Sequence, residues 1–428
     1  MNAGTATIVL KNPDALRLVA SAGRISTTGG TALEVLEKSD GGEKDLRLVG
    51  KVLSSGHHSV LEHHTLSIAF DNVSVLVEQF AIEFRLASFT VKSRRYVDFS
   101  GAGYVVPDGA PEGFSSRMEA LFALYGRLLA LGVPREDARF VLPYCFRSNF
   151  YMTLDAREFI HFVRAMLYGR GARCSEIREL GASLKAQFDR LYPGVLTPPD
   201  ATEALAPVPQ AFEEGTPVSG SARLVSGADA SALLDAARRF SRREMDAQAL
   251  LTDARAREME LVNYVFHVQN VSLSCVTHFA RHRMQSPLFM PTLDALARGN
   301  YVLPETVAAI PEARAAYESA FREQTAFTRE MLRRGLKTQD AAYCALSGHT
   351  ADMLFSMNAR ELLHFFQLRT CERAQWEIRA VARQMLALLR ARDGELFDLC
   401  GPSCLVTGRC PEGRLSCGHP HKRGEMRS

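Results

Sequence analysis

The sequence lacks long apolar runs, a strong net charge and any Cys-x-x-Cys pair. No apolar stretch approaches the ~18 residues that a membrane-spanning helix needs, and the N-terminus has no signal-like core, so we expect no membrane anchor and a cytoplasmic location. A net charge of +3 is too small to favour a nucleic-acid partner. The 46% hydrophobic and 23% charged content is typical of a globular protein, and 428 residues accommodate two or three domains.

The nine cysteines are unevenly distributed along the chain. Five occur singly in apolar or helical contexts and are predicted to be reduced core thiols: Cys145, Cys174, Cys275, Cys344 and Cys371. The other four cluster near the C-terminus, at Cys400, Cys404, Cys410 and Cys417. This set predicts either a thiolate site for zinc or an iron–sulfur cluster, with His419 and His421 as substitute ligands, or reduced thiols without a metal.

The chain repeats itself at a spacing of about 200 residues. "LDAREFIHF" at 154–162 recurs as "MNARELLHF" at 357–365, and "SEIRE" at 175–179 recurs as "WEIRA" at 376–380. "GYVVP" at 103–107 recurs as "NYVLP" at 300–304. The matches share one spacing and keep their order, which indicates a tandem duplication.

Each repeat combines an alternating, β-branched segment with amphipathic helices, so we predict an α+β fold with long helices. The β-rich segments are "TLSIAFDNVSVLV" and "VNYVFHVQNVSLSCV", and "AREFIHFVRAML" is a predicted helix. A stretch rich in Pro, Gly and Ala separates the repeats and is predicted to be a linker. The predicted domains are a first repeat over 1–195, a linker over 196–220, a second repeat over 221–395 and a cysteine-rich tail over 396–428.

Histidine, serine and arginine motifs recur at corresponding places in the two repeats. The first repeat contains "SGHHSVLEHH" at 55–64 and "RLASFTVKSRRY" at 85–96. The second contains "RHRMQS" at 281–286 and "NARELLHFFQLRTCERAQWEIR" at 358–379. As a set these motifs resemble the flavin-dependent thymidylate synthases, whose signature is Arg-His-Arg, seven residues and then Ser. The resemblance covers both repeats and leaves out the linker and the tail.

The two repeats depart from the family pattern in complementary ways. In the first, Glu83, Phe84 and Arg85 stand at the Arg-His-Arg positions, whereas the Gly-His-x-Ser element, the serine loop and Arg139 are present. In the second repeat, Arg-His-Arg is intact, but Pro291 occupies the position of the family's serine. Ala342 occupies the position that corresponds to Arg139. The resemblance therefore predicts that the repeats pack as a pseudo-dimer with one complete nucleotide site and one inactive mirror site.

The resemblance also implies roles for individual residues. It implies binding of dUMP, with Arg369 as the catalytic residue over the uracil ring, where a fixed cation stabilises developing charge. The predicted dUMP-binding residues are Arg281, Ser93, Arg94, Arg95, Arg139 and Arg369, because arginine forks match a phosphate. The predicted FAD-binding residues are His57, Ser59, Arg281, His282, Arg283, Asn358, Arg360 and His364.

Simpler interpretations stay open for the same residues. The Arg-His-Arg stretch is alternatively a basic surface corner, Ser93 a helix cap, and Asn358 with Arg360 a helix start carrying an ion pair to Glu361. His364 is alternatively a core histidine. Arg369 is alternatively a residue on a solvated helix face.

Three functions are consistent with these patterns. The first is reductive methylation of dUMP to dTMP with FAD, methylenetetrahydrofolate and NADPH, by a homodimer equivalent to the family's tetramer. The second is a related flavoenzyme that acts on another pyrimidine nucleotide, which Phe80, His278 and Pro291 suggest because they depart from the family pattern. The third is a non-catalytic nucleotide-binding protein.

Overall fold

The computed structural model describes residues 4–243, 246–253 and 256–420, and it confirms an α+β fold with two sheets. The first repeat contains β1 (Thr5–Lys11), α1 (Ala15–Ile25), α2 (Ala32–Glu37), α3 (Glu43–Ser54), β2 (Thr65–Ser74), α4 (Val75–Ile82), β3 (Ala87–Val91), α5 (Phe114–Ala130), α6 (Arg135–Ala138), β4 (Arg147–Asp155), α7 (Ala156–Leu167) and α8 (Ser175–Phe188). The second repeat contains β5 (Ser221–Gly227), α9 (Ala230–Ser241), α10 (Ala247–Thr252), β6 (Asn263–Ser272), α11 (Leu273–Ala280), β7 (Gln285–Phe289), α12 (Thr292–Arg298), α13 (Glu305–Ala308), α14 (Pro311–Arg333), β8 (Thr350–Asn358), α15 (Ala359–Arg369), α16 (Trp376–Phe397) and α17 (Ser403–Thr407).

Both repeats build the same four-stranded antiparallel sheet. The strand order is β1-β2-β4-β3 in the first and β5-β6-β8-β7 in the second. Each sheet also has an aromatic pair across its two central strands, Phe70 with Phe150 and Phe266 with Phe355, at positions two residues apart in the shared register. Aromatic pairs of this kind stabilise neighbouring strands. The shared strand order confirms the duplication predicted from the sequence.

The β-rich segments end earlier than their composition predicts. β2 stops at Ser74 and β6 at Ser272, and a helix begins at the next residue in each case. The two serines accept hydrogen bonds from the backbone N–H groups of Val77 and Cys275, at 3.2 and 3.0 Å, and so act as helix N-caps. The β-branched residues after Ser74 therefore lie in a helix, because this cap and tertiary packing outweigh their strand propensity.

α7 forms over the predicted residues and packs one face into the core. Phe159, Phe162, Val163 and Met166 are all buried, as their helical spacing predicts. Burial of each such side chain contributes about 1.5–3 kcal/mol. α7 begins at a cap from Asp155, which accepts the Glu158 backbone N–H at 2.9 Å. α15 of the second repeat begins in the same way, with Asn358 as its cap.

The chain forms two compact units that each contain a segment of the other repeat. The first unit extends to residue 127 and adds 142–210 and 326–344, while the second takes 128–141, 211–325 and the residues from 345 onward. Within the first unit Tyr343 donates a hydrogen bond to Glu176 at 2.8 Å. Within the second, Trp376 donates to Asp137 at 2.7 Å. Arg139 of the first repeat therefore belongs to the unit that holds Arg281 and Arg369.

The linker and the tail are mostly irregular. Between 191 and 220 the structure has no helix or strand, although Val218 donates a backbone hydrogen bond to Tyr301 at 2.9 Å. After α16, the tail contains the short helix α17 and the turn Gly413–Leu415. Within the described ranges, no helix combines the length and the apolar character that crossing a bilayer requires.

Candidate functional site

The Arg-His-Arg stretch lies in the turn between α11 and β7. Arg281 is the C-cap of α11, and the next two residues lead into β7. His282 points inward and is only 4% exposed, whereas Arg281 and Arg283 are exposed on either side of it. The turn thereby places three neighbouring cationic or titratable side chains together, with the histidine buried and the two arginines at the surface.

His282 is held between a carboxylate and a guanidinium group. Its Nδ1 lies 2.9 Å from Glu361 Oε1, and its Nε2 accepts a hydrogen bond from Arg369 Nε at 3.0 Å. Because arginine is always a donor, Nε2 carries no hydrogen and Nδ1–H donates to Glu361. Burial lowers the pKa of His282, and the charge of Arg369 lowers it further, against the opposing effect of Glu361. The ring is therefore a neutral imidazole at neutral pH.

Arg369 is the last residue of α15 and is half-buried. One of its Nη atoms donates to the backbone carbonyl of His278 at 3.4 Å, in the last turn of α11. A cation at a helix C-terminus is stabilised by the carbonyl groups that point towards it. Two contacts from different elements therefore restrain the guanidinium group that the sequence predicts to be catalytic.

The remaining α15 residues have individual positions. Asn358 accepts the backbone N–H of Glu361 at 2.9 Å, so it is a helix cap. Arg360 forms an ion pair with Glu260. His364 is exposed, with its ring centroid 6.0 Å from that of His282. α15 thus brings His364 next to His282, while Asn358 and Arg360 have their contacts at the start of the helix.

Arg139 is buried in the second unit. Its Nε donates to the carbonyl of Glu136 at 2.9 Å. The charges of both Arg139 and Arg369 lower the pKa of the Cys275 thiol in α11, although burial raises that pKa overall. Both guanidinium groups therefore lie near α11. One predicted residue of the first repeat therefore belongs to the same unit as His282 and Arg369.

The serine loop belongs to the first unit. The backbone N–H of Arg95 lies 3.3 Å from Ser93 Oγ, and the Arg95 guanidinium lies 5.6 Å from the Tyr96 ring centroid. The position of Arg94 does not suit its predicted role in dUMP binding. Its side chain is 5% exposed and forms a buried ion pair with Glu78. Such a pair favours a structural role for Arg94.

The Gly-His-x-Ser element forms an exposed turn of the same unit. His57 precedes the 3-10 helix His58–His63, and both His57 and Ser59 are exposed. Glu62 in this turn pairs with Arg157 of α7 at 2.5 Å. The two predicted cofactor-binding residues are therefore accessible at the surface of the first unit.

Glu361 is the site residue that the sequence alone did not single out as functional. It occurs in a Glu-x-x-His pattern at the start of both "ARELLHF" and "AREFIHF", which is the signal that was available. Its link to His282 spans 79 positions and cannot be read from spacing.

The tail cysteines are not gathered into the predicted thiolate cage. Cys400 is buried at the end of α16, and its thiol lies 3.9 Å from the carbonyl of Leu396. Cys404 is buried in α17, while Cys410 and Cys417 are half-buried further along. Among the residues described up to 420, no three His, Cys, Asp or Glu side chains form a group that could hold a metal ion. His421, a predicted substitute ligand, lies outside the described residues.

A protein-family model matches this chain in both repeats. The model of the thymidylate synthase complementing protein family matches residues 7–194 and 219–393. A flavin-dependent thymidylate synthase of Geobacter sulfurreducens is 36% identical over 163 residues, which cover 37% of this chain and 70% of the relative. A flavin-dependent thymidylate synthase of Pyrococcus abyssi is 33% identical over 167 residues, covering 37% and 68%.

Two solved structures are similar over less than half of the chain. The UMP/dUMP methylase PolB from Streptomyces cacaoi, bound with 5-Br dUMP, is 27% identical with a TM-score of 0.38, and the match covers 45% of this chain and 92% of that one. Thymidylate synthase X from Helicobacter pylori, with FAD and dUMP, is 20% identical with a TM-score of 0.38, covering 45% and 99%. From the two matched regions we conclude that the chain belongs to the thymidylate synthase complementing protein family and carries two copies of its domain in tandem.

Proposed function

We propose that this protein is a flavin-dependent thymidylate synthase that converts dUMP into dTMP. The observation that carries the proposal is the restrained Arg369, which His282 and the end of α11 hold beside the exposed Arg281 and Arg283. In a chain of this family, such a fixed cation fits the uracil ring of a bound nucleotide. Arg139 adds a second buried guanidinium group near the same helix.

The proposed reaction balances with three substrates. The methylene carbon of methylenetetrahydrofolate and a hydride from NADPH form the methyl group at C5 of dUMP, and the C5 hydrogen leaves as a proton. With a net uptake of one proton from solvent, the products are dTMP, tetrahydrofolate and NADP⁺. FAD, when bound, would supply the hydride-transfer chemistry. The protein's own contribution is to bind and orient the nucleotide and to present a fixed positive charge to the uracil ring, which stabilises the charge that develops there.

The donor set of the second unit fits the diphosphate of FAD. Arg281 and Arg283 are exposed on a turn next to α15, whose outer face carries Arg360 and the exposed His364. Guanidinium groups match phosphate oxygens, and imidazole adds a neutral or cationic donor. We assign these four residues to holding FAD, whereas the predicted cofactor roles of Asn358 and His282 stay predictions, because both side chains already have partners within the protein.

The first unit's candidates stay predictions from the family resemblance. Ser93 and Arg95 are predicted to bind the nucleotide, and His57 and Ser59 the cofactor. The folate and NADPH substrates, the homodimer and the cytoplasmic location also stay predictions.

A second candidate function is the same chemistry on another pyrimidine nucleotide. His278 suggests it, because the family usually has glutamine at this position, which lies in the turn of α11 that Arg369 contacts. A panel of dUMP, UMP and dCMP distinguishes the candidates, because turnover of dUMP well above the other two supports dTMP synthesis. A non-catalytic nucleotide-binding protein would bind dUMP without turning over any member of the panel.

The proposal is tested by dTMP formation from dUMP and by growth of a thymidine-requiring strain without thymidine. We expect both for the wild type and neither for Arg369→Ala. Arg164→Ala is the matched control, because Arg164 lies near the end of α7, the corresponding helix of the first repeat, where it contacts Thr197. A wild-type protein that binds FAD but forms no dTMP, and does not support growth, contradicts the proposal.

A further inference from the structure

Three side chains of the second unit form a continuous chain of hydrogen bonds. Glu361 Oε1 lies 2.9 Å from His282 Nδ1, and His282 Nε2 lies 3.0 Å from Arg369 Nε. The side chains of His282 and Glu361 are 3% and 10% exposed, so water competes little for these bonds. This series of hydrogen bonds begins at Glu361 inside the unit and ends on the guanidinium group of Arg369, which we assign to binding the nucleotide.

The direction of each hydrogen bond is fixed by chemistry. Arg369 donates, so His282 must accept at Nε2 and carry its hydrogen at Nδ1. That hydrogen needs an acceptor, which Glu361 provides. With the opposite tautomer, an N–H of His282 would face an N–H of Arg369, and the bond would be lost. Glu361 is itself restrained, because its backbone N–H donates to the cap residue Asn358.

The first repeat offers an internal comparison. It keeps the glutamate as Glu158, but Phe84 stands in place of His282 and Met166 in place of Arg369. There Glu158 contacts His161 at 3.3 Å, and the Phe84 ring packs 5.4 Å from the His161 ring. The other two members of the hydrogen-bond chain, the histidine and the arginine, are absent together, while the glutamate remains. The arrangement is therefore specific to the second repeat and is not a general requirement of this helix.

We propose that Glu361 is a positioning residue: it holds His282 in the Nδ1–H tautomer, and His282 in turn holds the Arg369 guanidinium in place for the nucleotide base. The second part rests on the proposed function, whereas the first concerns the protein alone. Protonation of His282 would remove the acceptor at Nε2 and place an imidazolium ion beside Arg369. The other charged or titratable groups near the ring are Glu361, His364 and the neighbouring Arg281 and Arg283.

The test compares three variants of the full chain. Glu361→Met removes the acceptor at similar size, Glu361→Gln keeps a neutral acceptor, and Glu158→Met makes the matched change in the first repeat. The readouts are the ¹⁵N chemical shifts of the histidine rings, the KM and kcat for dUMP, and the pH profile of kcat/KM.

We expect the wild type and Glu158→Met to show the Nδ1–H tautomer for His282. In Glu361→Met the ring should lose this fixed tautomer, and the KM for dUMP should rise roughly tenfold to a hundredfold, as expected when a bond to a charged group is lost. The KM of Glu361→Gln for dUMP should lie between those of the wild type and Glu361→Met. The acidic limb of its kcat/KM pH profile should shift from that of the wild type.

Two outcomes overturn the inference at different levels. If Glu361→Met keeps the wild-type ring signals and KM, Glu361 has no positioning role. If the wild type binds no dUMP, the proposed function fails, and with it the role of Arg369 towards a nucleotide. In that second case the ring signals of Glu361→Met and Glu158→Met still decide whether Glu361 sets the tautomer.

Discussion

Glu377, at the buried start of α16, gives a prediction whose size follows from its surroundings. The side chain is 2% exposed and accepts two hydrogen bonds from Ser272, from the backbone N–H at 2.6 Å and from Oγ at 2.5 Å. Burial raises the pKa of Glu377 from 4.5 to about 7, against the opposing effects of Ser272 and of Arg139. The perturbation is Glu377→Gln, which keeps the shape: its carbonyl oxygen can accept the Ser272 backbone N–H, and its NH2 group can donate to Ser272 Oγ.

The sign of the effect follows from proton binding. The folded state holds the Glu377 proton more tightly than the unfolded chain does. The stability linked to that proton is therefore present below pH 4.5 and is lost as the pH rises through about 7. A pKa shift of this size corresponds to a change of about 3 kcal/mol in the free energy of unfolding. At pH 8 the variant should be more stable than the wild type by up to that amount, or roughly 5–10 °C in melting temperature.

The assay is thermal unfolding at pH 5 and pH 8 for the wild type, Glu377→Gln and Glu372→Gln. Glu372 is an exposed glutamate that pairs with Arg379 and Arg383 at the surface, so its variant should follow the wild type at both pH values. The difference between Glu377→Gln and the wild type should grow from pH 5 to pH 8. An unchanged difference between these two pH values would refute the reasoning.

Three further predictions concern packing and thiol chemistry. Trp376→Phe should lower stability by about 1–3 kcal/mol, because Asp137 loses its 2.7 Å donor, and calorimetry measures the change. Arg94→Met should cost about 3–5 kcal/mol by leaving Glu78 buried without its cation, while adding Glu78→Gln should restore stability in chemical unfolding. Burial raises the pKa of the Cys400 thiol to about 12, so native thiol labelling followed by mass spectrometry should leave it unmodified, while two half-buried thiols of the tail, Cys410 and Cys417, should react.

Much of the fold could be predicted from the sequence because each repeat follows simple periodic rules. The buried face of α7 is visible in the spacing of its apolar residues, and the duplication is visible in its motifs. The sequence pattern does not predict the strand-to-helix junctions. The residues after Ser74 are apolar or β-branched, so they continue the strand pattern, although Ser74 caps a helix in the structure.

The site was predicted as a list of residues and not as a set of contacts. Arg369 and His282 are recognisable from the family motifs, but the bond between them joins positions 87 apart. The burial of Asp137 beside Trp376 joins positions 239 apart. The family resemblance predicts that Arg94 binds the nucleotide, but packing directs its side chain towards Glu78. Contacts of this kind depend on tertiary structure, which spacing along the chain does not encode.

The most direct test of the account is a titration of the FAD-loaded protein with dUMP, followed by the visible absorbance of the flavin. The wild type should take up FAD, turn yellow and show a saturable spectral change on adding dUMP. Arg369→Ala should bind FAD with a much weaker response to dUMP. A wild-type protein that takes up no FAD, or whose flavin spectrum is unaffected by saturating dUMP, would contradict the account.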